Sequence, residues 1–527
     1  MKSVFKKTWA YIEGINGLVL VVYMVFVYFT AAVINESSSV KYWIVSILIS
    51  GIAAVIVCPP IIRCLSKVSI SNGEIVSQRK IMNPAAANIC FFCISLSVFL
   101  IYYICSYPGS FSPDSQNQYT QAISNQYNDW HPVMHTLIAF KLPLLLTGGW
   151  KGSIVLFQIL CFSAVIAYAL SVILKYTNLK VAVFSMCYIF LNPQTGCIAM
   201  YPWKDVAFAI GTLLLLTYAL RIVVTKGIWL KNTVNMVLFI LVAVLTTLFR
   251  HNAVLFTVPL ILAVLFHVTP KRGLILCLGF VLLYTAVKVP LYGALNVESP
   301  DKRQIETLGL PMTIIGAAVV SEPEQLDDEI VDFAYKVAPV EVWEEKYSFR
   351  TYNNVKSDQR TDNDVIEEYG AVKVLSMMVR SCMAVPSATL KSLVRLTNTI
   401  YSISDTSVEF YMSVVNSNRH GVAVRLASWL TEYCRFVSNN FYFLFHLGFA
   451  HLALVVSALS KCRLDCLRDW KKLLFVVPLF AYNYGTTLLL TGAEDAVRFF
   501  YYTSLILPIL LVFIFRKETE RTMNDNV

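Results

Sequence analysis

Apolar runs, most of them about 18 or more residues long, alternate with short polar segments along most of the chain, a period suited to helices crossing a hydrocarbon core of about 30 Å. They fall at residues 11–33, 42–62, 88–106, 152–174, 181–198, 206–224, 234–249, 253–267, 273–291, 440–459, 473–491 and 497–515. This pattern predicts an all-α polytopic membrane protein with about twelve transmembrane helices. The run at 11–33 is of full span length, so it reads as the first helix rather than a cleavable signal. The stretch 132–146 is amphipathic and suits the membrane interface. Residues 292–439 form the longest polar region, expected to be a mixed exterior loop domain with interfacial or re-entrant helices where 371–399 divides. Within it Ile330, Phe333, Ala334 and Val337 have helical spacing beside Asp327, Asp328 and Asp332. The chain thus divides into an N-terminal transmembrane catalytic module at 1–291, the loop domain at 292–439 and C-terminal transmembrane helices at 440–527. No internal repeat is evident.

Charge orients the spans. Lys2, Lys6 and Lys7, then Arg63, Lys67, Arg79 and Lys80, Lys175 and Lys180, Lys226 and Lys231, Lys271 and Arg272, the group from Lys461 to Lys472, and Arg516 with Lys517 all fall on one side if the runs alternate in direction. By the positive-inside rule that side and both termini are cytoplasmic. The net charge of +10 is spent in these clusters, so no nucleic-acid partner is expected. With 57% hydrophobic and 14% charged residues and a mean hydropathy of +0.61, the chain lies outside the range of ordinary soluble domains. Most of the thirteen cysteines lie inside apolar runs as small hydrophobes, and the Cys90, Cys93 spacing falls in a predicted membrane helix without partner ligands.

The same orientation brings five polar motifs to the exterior face: the Asp114 segment, Asn128 to His131, Trp203 to Asp205, Arg250 to Asn252, and Glu494 to Arg498. Ionisable groups at membrane depth are costly and usually face a cavity or functional pathway. The prolines and glycine of Tyr107 to Gln116 predict a rigid non-helical turn that holds Asp114 in place, as a base requires. Against this stands Asp114 as the cap of a helix starting at Ser115. His131 is either a hydrogen-bond donor or a cap, and its i, i+4 partner His135 leaves a two-His metal site without a third ligand. Lys204 and Asp205 read as site residues or as a mutual pair at a helix mouth, Arg250 as a ligand or an interfacial anchor, and Glu494 with Arg498 as a phosphate clamp or a helix-end ion pair.

Pro113, Asp114, Ser115 and Gln118, then Asp129 to Pro132, Pro202 to Asp205, and Arg498 followed by aromatics, resemble in order and sidedness the GT-C superfamily of membrane glycosyltransferases and allied bacterial families without an assigned function. The similarity covers 107–251 and 494–510 and is weak through the large loop. It implies a polyprenyl-phosphate sugar donor and a loop aspartate, here Asp114, as base or metal ligand, which leaves a divalent ion such as Mg or Mn open as a cofactor. Two spans precede the aspartate loop, where many relatives have one, and the loop has no Asp-Asp or Glu-Asp pair.

Chemistry points the same way. A glycoside hydrolase generally needs two carboxylates, whereas a phosphate leaving group needs positive charge and one base for the incoming hydroxyl. The expected roles are Asp114 as base with His131 beside it; Lys204, Arg250, His251 and Arg498 on the donor phosphate; and Gln118, Asp205 and Glu494 on the substrate. The expected setting is a bacterial plasma membrane with an exterior active site, and the expected partners are membrane lipids, the polyprenyl-phosphate donor and a glycan, lipid or protein acceptor. A transporter or flippase, a polysaccharide polymerase or ligase, and an envelope scaffold are the competing readings. Transporters favour midplane sites on broken helices, and the polymerase does not require the Asp114 turn.

Overall fold

In a computed structural model the described residues are 15–34, 40–70, 83–298, 305, 307–401, 422–462, 470–489 and 496–516. Helices are their only regular secondary structure, with no strand and only two isolated bridges, Ile70 with Arg516 and Asn128 with Glu298. Among them six helices are long and apolar enough to cross a membrane: Ile47–Lys67, Pro84–Ser106, Gly152–Tyr176, Lys204–Val224, Pro270–Ala294 and Arg498–Phe515. Two bent pairs raise this to eight, and further apolar helices of 10–17 residues accompany them. These are the helices of an integral membrane protein.

Local sequence sets the helix ends. Asn83, Asn178, Asn192 and Asn232 each accept a backbone N–H at a helix start, and prolines follow the first and third of these at the position where a missing N–H costs nothing. The run at 181–198 is therefore two helices, Leu179–Leu191 and Pro193–Ala199, bent by 61° at Asn192. Pro386 similarly forces Val385 out of helical conformation, and Ala371–Ala384 meets Pro386–Asn398 at 113°.

The Lys204–Val224 helix lies at the centre, packed against Gly152–Tyr176, Thr233–Leu248 and Tyr502–Phe515. By contrast Pro270–Ala294 buries only Gly273 and Leu276 and turns Leu274, Leu278, Val281, Leu282 and Val289 outward. Such a face suits lipid. A second apolar cluster, around Met312, Phe333, Trp343 and Tyr352, fills residues 305–388. Here Asp328–Val337 buries Ile330, Phe333, Ala334 and Val337, the four positions whose spacing predicted it. The adjoining Ala371–Ala384 helix buries Val374 and Met377 in this cluster and exposes Val372, Leu375, Val379 and Met383 as one stripe. The Pro386–Tyr401 helix packs onto Ile15–Ile34, Leu447–Lys461 and Val477–Leu489. Cys90 and Cys93 are exposed free thiols.

The central helix approaches its neighbour closely because Gly211 lacks a side chain, and a Cβ there would collide with Thr246 Oγ1. Overpacking of this kind costs about 1–3 kcal/mol. Gly211→Ala is expected to lower the thermal unfolding midpoint in detergent, and adding Thr246→Ala to restore most of the loss.

Candidate functional site

The ends of four helices meet at one end of the bundle: the end of Pro84–Ser106, the start of Lys204–Val224, the end of Thr233–Leu248 and the start of Arg498–Phe515. From Ser106 the chain turns through a cis Tyr107–Pro108 peptide and Gly109, whose φ of +120° and closeness to Val155 exclude a side chain. Ser110 N–H donates to Met200 O at 2.9 Å, which ties this turn to the loop before Trp203. The turn is shorter than the sequence suggests. Ser112 caps a helix, Pro113–Ser124, through Ser115 N–H, and Pro113 is pre-organised for its first position. Asp114 is thus neither in the non-helical turn nor the cap, but in the first helical turn.

Asp205 is the hub. Its two carboxylate oxygens receive different arginines: Arg498 Nε donates to Oδ2 at 2.9 Å, and Arg250 pairs with Oδ1. A second nitrogen of Arg498 donates to Asp114 Oδ2. Arg250 Nε donates to Asn252 Oδ1 at 2.7 Å, and Asn252 in turn donates to Thr486 Oγ1 at 2.6 Å. Aromatic rings enclose both guanidinium groups: Arg498 lies 4.6 Å from the Trp203 ring centre, and Arg250 lies 4.8 Å from Phe499 and 5.7 Å from Tyr482. Trp203 stacks on Tyr201 at 4.2 Å, and its indole N–H donates to Ser112 Oγ at 2.7 Å, so one ring braces both Arg498 and the cap below Asp114.

Exposure grades across this cluster. The side chains of Asp205 and Arg250 are 1% and 3% exposed, Arg498 is 10% exposed and Asp114 34%. Lys204 is half-buried and lies 3.1 Å from His131 Nδ1. An ammonium group only donates, so His131 accepts at Nδ1 and carries its proton on Nε2, which faces Asp114 Oδ1 at 3.9 Å. Burial alone would raise the Asp114 pKa, but the charges of Arg498 and Lys204 outweigh it and hold the carboxyl below its usual range. Burial, reinforced by Lys204, pushes His131 down to about 3, so it is neutral near pH 7.

Asp114, His131, Lys204, Asp205, Arg250 and Arg498 therefore come together from five separated segments. His251 lies at the edge, its Nε2 3.8 Å from Asp129 Oδ1, which also accepts from Tyr292 OH at 2.6 Å. Gln118 is buried and donates to His135 Nδ1 and Thr136 Oγ1, both at 3.0 Å, a supporting position rather than an open one. Lys204 and Asp205 engage His131 and the arginines respectively, in place of the mutual pair considered from sequence. Glu494 lies outside the described residues. The bracing roles of Trp203, Ser112, Asn252, Tyr482 and Phe499 escaped the sequence reading; the aromatics beside Lys204 and Arg498 were the available signal.

Among the described residues no group of three or more His, Cys, Asp or Glu side chains is arranged to hold a metal ion. Both carboxylates of the cluster are directed at guanidinium groups, and His131 Nδ1 accepts from an ammonium. This donor set does not fit a divalent cation. No family model, no curated protein and no solved structure matches the chain.

Removing one partner of a buried ion pair typically costs about 3–5 kcal/mol, because the remaining charge is stranded. Asp205→Asn is expected to lower stability on that scale, and Asp114→Asn, whose carboxylate is one-third exposed, by at most about 1 kcal/mol; chemical unfolding in detergent checks the contrast. His131 adds a pH dependence. An unfolded histidine binds its proton near ~6.5, whereas the folded one resists until about 3. Stability therefore falls as pH drops through that window, and His131→Gln is expected to reduce the slope of the unfolding midpoint against pH there, the remainder belonging to His135, which burial likewise pushes down to about 3.

Proposed function

We propose that the protein transfers a sugar from a polyprenyl-phosphate donor to an envelope acceptor, with GT-C-like architecture and about twelve spans. The observation that carries this reading is the convergence of Lys204, Arg250 and Arg498 with the partly exposed Asp114 at the ends of four helices. Basic residues Lys175, Lys226, Lys231, Lys271 and Arg272 cluster at the opposite helix ends, which supports an active site on the exterior face of a bacterial plasma membrane.

The chemistry follows from charge. A polyprenyl-phosphate sugar is a phosphodiester with one negative charge, and transfer leaves a phosphate monoester that gains a second. The acceptor oxygen forms a bond to the anomeric carbon while the bond from that carbon to the phosphate oxygen breaks, its electron pair leaving with the phosphate. The hydroxyl proton passes to the Asp114 carboxylate and then to water. Lys204 and Arg498 meet the developing charge, Arg250 supports them through Asp205, and His131 and His251 supply hydrogen bonds. A single displacement of this kind inverts the anomeric centre. Gln118 holds the wall behind Asp114. The donor set described above calls for no metal ion, and the acceptor is a glycan, lipid or protein hydroxyl.

The test is incubation of the purified protein in lipid with a panel of polyprenyl-phosphate hexoses and envelope acceptors, following release of polyprenyl phosphate by mass spectrometry. Wild type is expected to release it, Asp114→Asn to lose turnover, and Lys204→Ala or Arg498→Ala to lose about two to three orders of magnitude in rate. If no donor turns over while a lipid or solute crosses the bilayer, transport replaces transfer.

A further inference from the structure

The two carboxylates on Arg498 are not equivalent. Asp205 is 1% exposed and shared with Arg250, and its contact with Arg498 runs through Nε. Asp114 is 34% exposed and binds Arg498 through the terminal nitrogen Nη2. If Asp114 lets go, Arg498 stays aimed, because Asp205 still holds Nε and the Trp203 ring still lies against the guanidinium plane. A second station is within reach of Asp114, since the proton-bearing Nε2 of His131 is 3.9 Å away and Lys204 fixes the ring from its other side. With Asp114 set aside, the charges left at the site are those of Arg250 and Arg498 on Asp205 and of Lys204 beside His131, a net charge of +2 that matches the phosphate monoester left by transfer.

We propose that Asp114 is an internal, displaceable anion: in the resting protein its carboxylate occupies the place on Arg498 that a substrate phosphate takes. Phosphate arrival moves Asp114 from Arg498 toward His131. The freed carboxylate is no longer neutralised by the guanidinium, so it becomes a stronger base when a donor is bound and not before. Once it has taken the acceptor's proton it is neutral and cannot compete for Arg498; after passing the proton to water it recovers its charge and helps expel the phosphate product. The inference rests on the transferase reading for its catalytic consequence, but its central claim concerns binding alone.

That claim predicts an affinity change opposite to the loss expected for a ligand-contacting residue. When a competing internal contact occupies a site about 90–99% of the time, removing it strengthens apparent affinity about tenfold to a hundredfold. Binding of polyprenyl phosphate to the full-length protein in lipid nanodiscs, and separately of inorganic phosphate, is measured by calorimetry for wild type, Asp114→Asn, Asp114→Ala and Asp129→Asn. Both Asp114 variants are expected to bind at least about tenfold tighter than wild type. Asp129→Asn, which removes a nearby carboxylate that pairs with His251 instead of Arg498, is expected to change affinity less than about twofold, since a lost local contact outweighs a screened distant charge. Tightening with both probes assigns the site to phosphate itself, and tightening with the lipid alone assigns it to the lipid headgroup; either supports displacement. Unchanged or weaker binding in both Asp114 variants, or equal tightening in Asp129→Asn, overturns it. Because turnover is not read, a failed transfer assay with tightened binding would reject the sugar-transfer reading and leave the displaceable anion standing.

Discussion

A single buried carboxylate, Asp205, holds together the polar end of this protein. Its oxygens join Arg250 to Arg498, which lies 293 positions from Asp205 along the chain, so the end of the Thr233–Leu248 helix, the start of the central helix and the last described helix are tied through one side chain. An isolated arginine at that depth carries a large desolvation cost, and two would repel each other. With Asp205 between them, each guanidinium has a carboxylate oxygen of its own, and Arg498 also reaches the partly exposed Asp114.

The surroundings reinforce this. Trp203, Phe499 and Tyr482 lie against the guanidinium groups, limiting their rotamers and keeping water from their faces. Beneath Arg250, Phe208 stacks on Tyr482 at 4.5 Å and Tyr502 meets both rings edge-on. Deeper still, Tyr502 OH donates to Asn483 Oδ1 at 2.8 Å, and the Asn483 amide donates to Thr503 and reaches His451 Nε2 at 2.9 Å. These polar groups find partners within the bundle, as burial in an apolar medium demands. The gradient from buried Asp205 to partly exposed Asp114 thus rests on a floor of aromatic rings.

Helix breaks shape the same end. Asn192 with Pro193, and Pro108, stop helices where the chain must turn, and Pro113 starts the next one. The π turn of Thr136–Lys141 sits beside buried His135 and Gln118, behind the Asp114 helix. Irregular backbone is tolerated at such depth when packed protein satisfies its polar groups, and here side chains such as Gln158, whose amide donates to Ala199 O and Tyr201 O, do so.

Hydropathy alone established that the chain is helical and membrane-embedded, because the length of an apolar run is a local property that the bilayer reads directly. Alternating spans and basic clusters also placed Asp114, His131, Lys204, Asp205, Arg250 and Arg498 on a common side, and the apolar spacing at 330–337 marked a helix and its buried face. Local signals did not reveal where spans break: among the described residues six helices meet the length and hydropathy demands unaided, and several expected spans are shorter or bent. Above all, pairing was invisible. Which carboxylate each arginine meets, that Lys204 turns to His131 rather than Asp205, and that Trp203 braces a cap 91 residues away depend on how helix ends converge in space. Sequence decided which residue types are available at one end of the bundle; only the packing of the helices decided that Asp205 is sealed in and Asp114 is left partly open.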